Sequence, residues 1–385
     1  MKRIYLDYAS TTPADPEVVR EMLPYFSGIC GNPSSVHAFG REARKTVDRV
    51  RETVARFIGA KPDEITFTSG GTESDNTAVK GIAYAARSRG HHIITSSIEH
   101  RAVLSPAGFL ERQGFSVTRL PVDSTGMVDP DDVLKAITPG TILISVMHAN
   151  NEIGTVQPLA EIGAIAREKG IPFHTDAVQT FGHIPVNVDE LNVDLLSASA
   201  HKFYGPKGVG IMYIRSGTRI GRFMHGGSQE KNRRASTLNV PGIVGLGKAI
   251  ELAEKDMHDE MLMLANFQER LVCSIVGTIK RTKLNGHPEK RLPGNVNISF
   301  RNIQGERLLK GLDEAGIACS TGSACSASNT GPSHVLTAIG LPLDLISGSL
   351  RITLGKYVKE EEIDYVIEIL PRLVRKMSSF VEYPE

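Results

Sequence analysis

The chain has 385 residues, a formal net charge of +1, 41% hydrophobic and 23% charged residues. That length supports a large core and two domains, and a near-neutral balance with scattered Lys and Arg gives no reason to expect a nucleic-acid or membrane partner. No stretch approaches the ~18 apolar residues of a membrane span, MKRIYLDYAS has no apolar signal core, and four cysteines (Cys30, Cys273, Cys319, Cys325) without a CxxC pair predict free thiols in a reducing cytoplasm.

From about residue 47 to 215 helices and strands alternate. A helix, KTVDRVRETVARFIG, leads to the strand EITFTS (64–69). TESDNTAVKGIAYAARSRG reads as a helix, HHIITSS (91–97) as a strand, AVLSPAGFLERQG as mostly helical, and FSVTRLPV as a strand. DPDDVLKAI is a short helix with an acidic first turn. TILISVMHA (141–149) is an apolar, β-branched strand. PLAEIGAIAREKG opens on Pro and closes on Gly, as a helix should. IPFHTDA (171–177) and VDLLSASA (193–200) are strands. Near-continuous apolar strands between helices predict a parallel sheet covered on both faces. VDLLSASA and VGIMYIR (209–215) are joined only by HKFYGPKG, too short for a parallel crossover, so this pair should be antiparallel and the sheet mixed. A long helix over roughly 242–276 follows. NVNISF (295–300), a helix to about 315, IACS, SLRITLG (349–355) and a last helix from Glu360 form a smaller α+β unit.

In an open α/β sheet ligands bind beyond the carboxyl ends of the strands. EITFTS ends on Gly70-Gly71-Thr72-Glu73, which opens a helix and has the makings of a phosphate cradle. HHIITSS ends on Glu99-His100, and TILISVMHA on Asn150-Asn151. IPFHT delivers Asp176, with Gln179 three residues on, and LSASA delivers Ser199, His201 and Lys202, followed by Gly205 and Gly208. Taken singly, each has a bland account: a glycine turn, a helix cap, a solvated Lys. Five strands delivering them to one rim call for a common explanation. A phosphate cradle, a buried Lys able to form a Schiff base and an Asp able to pair with a ring nitrogen together describe a pyridoxal phosphate site.

The segments YLDYASTT, GNPSSVHAFG, SGGTESDN, ANNEIG, HTDAVQ, SASAHKFYGPKGVG, RRASTLNVPGIVG and STGSACSAS resemble cysteine desulfurases of the NifS/IscS type, in the class V aminotransferase group of fold-type I pyridoxal phosphate enzymes. The resemblance runs from Leu6 to the last helix. It implies a large cofactor-binding domain over 15–250, with a mostly parallel mixed sheet flanked by helices. It also implies a smaller α+β domain from 1–14 and 251–385 that carries a catalytic cysteine loop at about 319–331. It implies that Lys202 carries the cofactor, that Asp176 pairs with the pyridine nitrogen, that Gln179 bonds the ring oxygen, that His100 stacks on the ring and moves protons as a catalytic residue, and that Asn151 also contacts the cofactor. Gly71 and Thr72, with Ser199 and His201 beside them, would hold the phosphate. Thr237 would reach the phosphate in the other subunit of a homodimer. Asn151 and Arg351 would hold the substrate carboxylate, with Asn32 close by; on residue type alone, Arg351 in SLRITLG could equally run out to solvent.

The same resemblance makes Cys325 the nucleophile. It would take sulfur from L-cysteine, release L-alanine and carry a persulfide to an iron–sulfur cluster scaffold protein or another acceptor. It implies no intrinsic metal, although Cys325 would be placed to ligate a cluster transiently with a scaffold. The run of Gly, Ala, Ser and Thr around Cys325 predicts a mobile loop, which suits a thiol that must attack in one place and deliver in another. Cys319, at the end of IACS, reads as a buried small residue, the alternative being a resolving thiol for Cys325. Thr330-Gly331 stand where many relatives carry an acidic residue, and the chain stops at Glu385, soon after its last helix, so the sulfur acceptor stays open. The competing readings are a selenocysteine lyase or another class V enzyme, and a catalytically idle scaffold or carrier. An intact Lys, Asp and phosphate cradle argue against the last.

Overall fold

A computed structural model describes residues 3–321 and 331–378. Cys325 and most of the 319–331 loop lie outside the described residues. The strands are β1 (Ile4–Tyr5), β2 (Ile65–Thr68), β3 (His92–Ser96), β4 (Ser116–Leu120), β5 (Thr141–Ser145), β6 (Phe173–Asp176), β7 (Leu195–Ser199), β8 (Gly210–Ile214), β9 (Thr282–Leu284), β10 (Asn295–Phe300), β11 (Ile317–Ala318) and β12 (Ser349–Thr353).

Seven of them form one sheet in the order β2-β8-β7-β6-β5-β3-β4. All pairs from β7 to β4 are parallel, and β8 runs antiparallel to both β7 and β2. The short link after VDLLSASA therefore does what its length requires. Strands β2, β3, β6, β7 and β8 are buried at every position, as a sheet covered on both faces demands. On one face the helix Gly71–Ala85 packs through Ala78, Val79 and Ile82 against Ile93, Leu143 and Leu195. The other face joins the largest apolar cluster, which includes Phe173, Leu196 and Ile211.

A second apolar cluster gathers around the antiparallel sheet β12-β10-β9 and the parallel pair β1-β11. The two clusters share one helix. The expected helix over 242–276 is a single rod, Val240–Thr278, capped by Asn239, whose side chain accepts from Gly242 N. Its first turns bury Ile243, Leu246 and Ile250 in the large cluster; Leu264, Leu271 and Ile275 join the second.

The structure departs from expectation chiefly at element starts and short pieces. The helix read from KTVDRV begins earlier, at Ala38, because His37 caps it by accepting from Gly40 N and Ala43 already faces the core. β1 is too short for a two-residue period to be visible; it exists because its partner β11 lies far along the chain. The final helix spans Glu360–Ser378, as expected.

Phe173 is fully buried at the centre of the large sheet. Phe173→Ala should cost about 3–5 kcal/mol of stability. A chemical denaturation midpoint that stays at the wild-type value would contradict this packing.

Candidate active site

The carboxyl ends of β2, β3, β5, β6 and β7 open onto one cavity of about 190 Å³. It brings together ten of the residues singled out from sequence: Gly71, Thr72, His100, Asn151, Asp176, Gln179, Ser199, His201, Lys202 and Arg351. Ala9, Asp75, Met147 and Val178 complete the wall.

The turn after β2 is built for close approach. Gly70 has φ 148°, a backbone state that side-chain-bearing residues avoid. A Cβ on Gly71 would lie 2.5 Å from Val178 Cγ2, so only glycine lets this helix start sit against the Asp176–Val178 turn. The helix Gly71–Ala85 thus aims its first free N–H groups and its positive end into the cavity. Glu73 accepts from Ser69 N at 2.8 Å and fixes the turn from behind.

At the floor, Asp176 Oδ1 accepts from Val178 N at 2.9 Å, so the bland helix-turn role and a site role coexist in one carboxyl. Burial pushes the Asp176 pKa up, while His100, the Val178 N–H and Lys202 pull it back. His100 caps the helix Arg101–Glu111; its Nδ1 accepts from Ala102 N at 3.1 Å, which leaves the ring hydrogen on Nε2. Burial lowers its pKa against the opposing pull of Asp176, with Lys202 and Arg101 adding to the lowering. His100 is therefore a neutral ring, suited to stacking and to donating one hydrogen bond. His201 Nδ1 pairs with Thr11 Oγ1 at 3.0 Å, and its pKa is lowered to about 4 by burial and by Lys202 and Lys207.

Lys202 Nζ donates to Ala9 O and, at 2.8 Å, to Ser10 O, and Gln179 Nε2 donates to Ala9 O at 3.1 Å. The N-terminal segment therefore lies against the site. Arg351 does not run out to solvent. It is 1% exposed; its Nη2 donates to Asp7 Oδ1 and Ser10 Oγ, both at 2.8 Å, and its Nη1 to Asn151 O at 3.1 Å. Its Nε is buried without a hydrogen-bond partner among the described residues.

Behind Asp176 lies a buried polar layer that sequence reading missed. Asp75, on the cavity helix, is 1% exposed, with Oδ1 3.6 Å from His174 Nε2. His174 bridges Ser145 Oγ at 2.9 Å and Ser197 Oγ at 3.0 Å. Burial and the nearby Asp176 raise the Asp75 pKa well above its ordinary value. Glu99 is fully buried, accepts from Ser96 Oγ at 2.6 Å and Met147 N at 2.9 Å, and is pushed up to about 8, chiefly by burial. Burial thus raises all three carboxyls here, and only Asp176 has His100 and Lys202 pulling back towards the charged form. Asp75 belongs to the helical period of TESDN, which gave no sign that this position turns inward to a polar layer.

Two residues named from sequence sit apart. Asn32 is exposed, with Oδ1 accepting from Ser34 N at 2.9 Å, and Thr237 is exposed; neither lines the cavity. Cys319 is partly covered and packs against the second cluster. Burial, aided by Asp7, pushes its thiol up to about 12, which fits the packing role and not a reactive one. Cys30 and Cys273 are exposed. Beyond the undescribed loop, Ser333 Oγ donates to Glu152 Oε2 at 2.6 Å and His334 Nε2 to Glu99 O at 2.9 Å. The chain therefore re-enters fastened beside Asn151 and His100.

Pyridoxal phosphate fits these groups. The glycine-lined helix start suits a phosphate, and the buried Asp176 carboxyl suits a protonated ring nitrogen. The Lys202 amine suits an aldehyde carbon, and the flat neutral ring of His100 suits a stacked pyridine. Among the described residues no cluster could hold a metal ion, and no helix is long and apolar enough to cross a membrane.

Comparison with known proteins gives the same picture from another direction. The aminotransferase class-V family profile matches residues 4–366. The chain is 55% identical to "Cysteine desulfurase IscS" of Dictyoglomus turgidum, over 100% of this chain and 98% of that protein. It is 54% identical to "Cysteine desulfurase IscS" of Methanosarcina thermophila, over 98% and 93%. Among solved structures it is similar to a "NifS-like protein" (TM-score 0.92, 39% identity, 97% of this chain and 100% of that one). It is also similar to "SspA in complex with cysteine" (TM-score 0.83, 40% identity, 92% and 100%).

The buried acids predict a pH signature. Glu99 has a folded pKa near 8 against an ordinary 4.5, so its contribution to stability is full below about pH 4.5 and is lost as pH rises towards 8. Glu99→Gln removes that loss. Its melting temperature relative to wild type should rise between about pH 5 and about pH 8; a difference that stays flat would show Glu99 already ionised in the fold.

Proposed function

Because the chain belongs to the aminotransferase class-V family and, within it, to the cysteine desulfurases, we propose that this cavity is the place where its own residues take sulfur from L-cysteine. The enzyme is pyridoxal-phosphate dependent, and its reaction yields L-alanine and an enzyme persulfide. The observation that carries the assignment of residues is the meeting, in one cavity, of the Lys202 amine, the buried Asp176 carboxyl and the glycine-lined start of the helix Gly71–Ala85.

When bound, the cofactor holds the substrate amine at its aldehyde carbon and takes up the electron pair released at Cα. Lys202 would anchor it, and its Nζ would take up the Cα proton of the substrate. The carbonyls of Ala9 and Ser10 hold that Nζ beside the cavity. Asp176 would keep the proton on the ring nitrogen, and burial, which raises the pKa of Asp75 and Glu99 behind it, disfavours competing anions. His100, whose Nδ1 accepts from Ala102 N, would stack on the ring and present Nε2–H as a donor. Gln179 would bond the ring oxygen, while Gly71, Thr72, Ser199 and His201 would hold the phosphate. Arg351 and Asn151 receive the substrate carboxylate; the unpartnered Nε of Arg351 is a donor awaiting an acceptor. Asn32 stands outside this wall and would act only through a movement of its segment.

In this account the Cys325 thiolate attacks the substrate sulfur. An S–S bond forms, the C–S bond breaks, and the carbon skeleton takes up protons to leave as alanine. Cys325 is left as a persulfide for a scaffold protein or another acceptor. We read 15–250 as the cofactor-binding domain and 1–14 with 251–385 as the smaller one; the two main apolar clusters support that division, apart from Tyr204 in the second and Leu252 against the first, while a further cluster joins Ile98, Met147 and Ile153 to Val335 and Leu336 across it. We also read the enzyme as a cytoplasmic homodimer in which Thr237 serves the other subunit. The exposed side chains of Leu23, Phe26, Val36 and Phe39 support a partner surface.

Wild type and Cys325→Ala, each supplied with L-cysteine, should both be yellow, and only wild type should make alanine and sulfide in equal amounts. A Cys325→Ala enzyme that turns over like wild type would remove the loop thiol from the mechanism and favour a selenocysteine-lyase type of chemistry.

A further inference from the structure

The helix start that takes the phosphate carries a carboxylate in its own first turn. Glu73 is nearly buried (7% side-chain exposure) and stays ionised, its pKa lowered despite burial by Arg234 and the Ser69 N–H. An anion there would repel a phosphate dianion through a poorly screened interior. Arg234 answers it with two bonds, Nε to Oε1 at 2.9 Å and Nη2 to Oε2 at 3.3 Å, and is itself 16% exposed.

Arg234 is held in place by a built loop. Glu230, Lys231, Asn232 and Ser236 all have positive φ, a costly state for non-glycine residues. The Glu230 carboxylate fixes that loop with two bonds from Arg51, at 2.7 and 3.0 Å, and one from Phe67 N at 2.9 Å. Phe67 lies on β2, the strand that leads into the cradle. The loop, the strand and the helix start are thus one fastened unit.

We propose that Arg234 is a positioning residue for the cofactor phosphate: by neutralising Glu73 it lets the Gly71–Thr72 helix start accept a dianion. The inference rests on the reading that this helix start holds the phosphate. Arg234 touches neither cofactor nor substrate; it acts through Glu73. Its effect should therefore depend on the phosphate group and vanish when Glu73 loses its charge.

The test is equilibrium dialysis of the full-length enzyme against falling concentrations of pyridoxal phosphate and, separately, of pyridoxal, which lacks the phosphate. Arg234→Gln should weaken pyridoxal phosphate about tenfold or more and leave pyridoxal within about threefold. Arg234→Gln combined with Glu73→Gln, which keeps an acceptor for Ser69 N, should return the phosphate form to within about threefold of wild type. If pyridoxal weakens as much as its phosphate ester, or the double variant stays as weak as the single one, Arg234 is a structural staple and the proposal fails. If wild type itself holds pyridoxal no less tightly than pyridoxal phosphate, the reading of the helix start fails, and this inference with it.

Discussion

One buried guanidinium holds the site together. Arg351 sits on β12 in the smaller sheet, yet its donors reach Asp7 and Ser10 on the N-terminal segment and Asn151 O beyond β5 of the large sheet. A buried cation without partners would cost several kcal/mol, so these groups must gather around it. Their gathering has consequences. The N-terminal segment, pinned at Asp7 and Ser10, presents the carbonyls of Ala9 and Ser10 to Lys202 and Ala9 O to Gln179. Thr12 then locks onto His201 O, through N at 2.9 Å and Oγ1 at 3.0 Å. The cavity is therefore walled by the segment that follows β1, which bridges to β12 through Asp7 and Thr353 and lies outside the large sheet.

That dependence explains what could be read in advance. The large sheet was legible because each strand is a short apolar run between helices, and the antiparallel β8 followed from an eight-residue link. The rim residues were legible because the carboxyl ends of parallel strands form a defined place. Asp7, Ala9 and Ser10 were not, since their roles pass through backbone carbonyls and a long-range ion pair. The burial of Arg351 was equally hidden: an Arg in SLRITLG can run out to solvent, and it is the pairing with β10, the bridge from Ser320 and the approach of Asp7, Ser10 and Asn151 that cover it. Asp75 was hidden too, because a polar residue on an amphipathic helix reads as solvent-facing until the facing strands prove to carry Ser145, His174 and Ser197.

The electrostatic design follows from burial more than from pairing. Burial raises the pKa of both Asp75 and Glu99, and for Glu99 it outweighs the opposing hydrogen bonds from Ser96 and Met147 N. Asp176 differs in having His100 and Lys202 within its field. Burial lowers the pKa of His100 and His201 for the complementary reason, so these two rings can stack and donate hydrogen bonds without adding to the positive charge of Lys202 and Arg351. Cys319 belongs to the same logic. Its thiol lies near Asp7 and in apolar packing, where a thiolate is disfavoured. The desulfurase chemistry needs a thiol of the opposite kind, and the chain places its other candidate, Cys325, six residues on in a run of small residues.

The central claim is that Arg351 both fastens the N-terminal segment and receives the substrate carboxylate. The most direct measurement compares binding of L-cysteine with that of cysteamine, which has the same amine and thiol and no carboxylate, in wild type and Arg351→Lys. The yellow holoenzyme reports both through its absorbance. Wild type should prefer L-cysteine, and Arg351→Lys, which keeps the charge but loses the planar fork, should lose about tenfold or more of that preference while cysteamine binding holds. An Arg351→Lys enzyme that prefers L-cysteine as strongly as wild type would place the carboxylate elsewhere and leave Arg351 a purely structural cation.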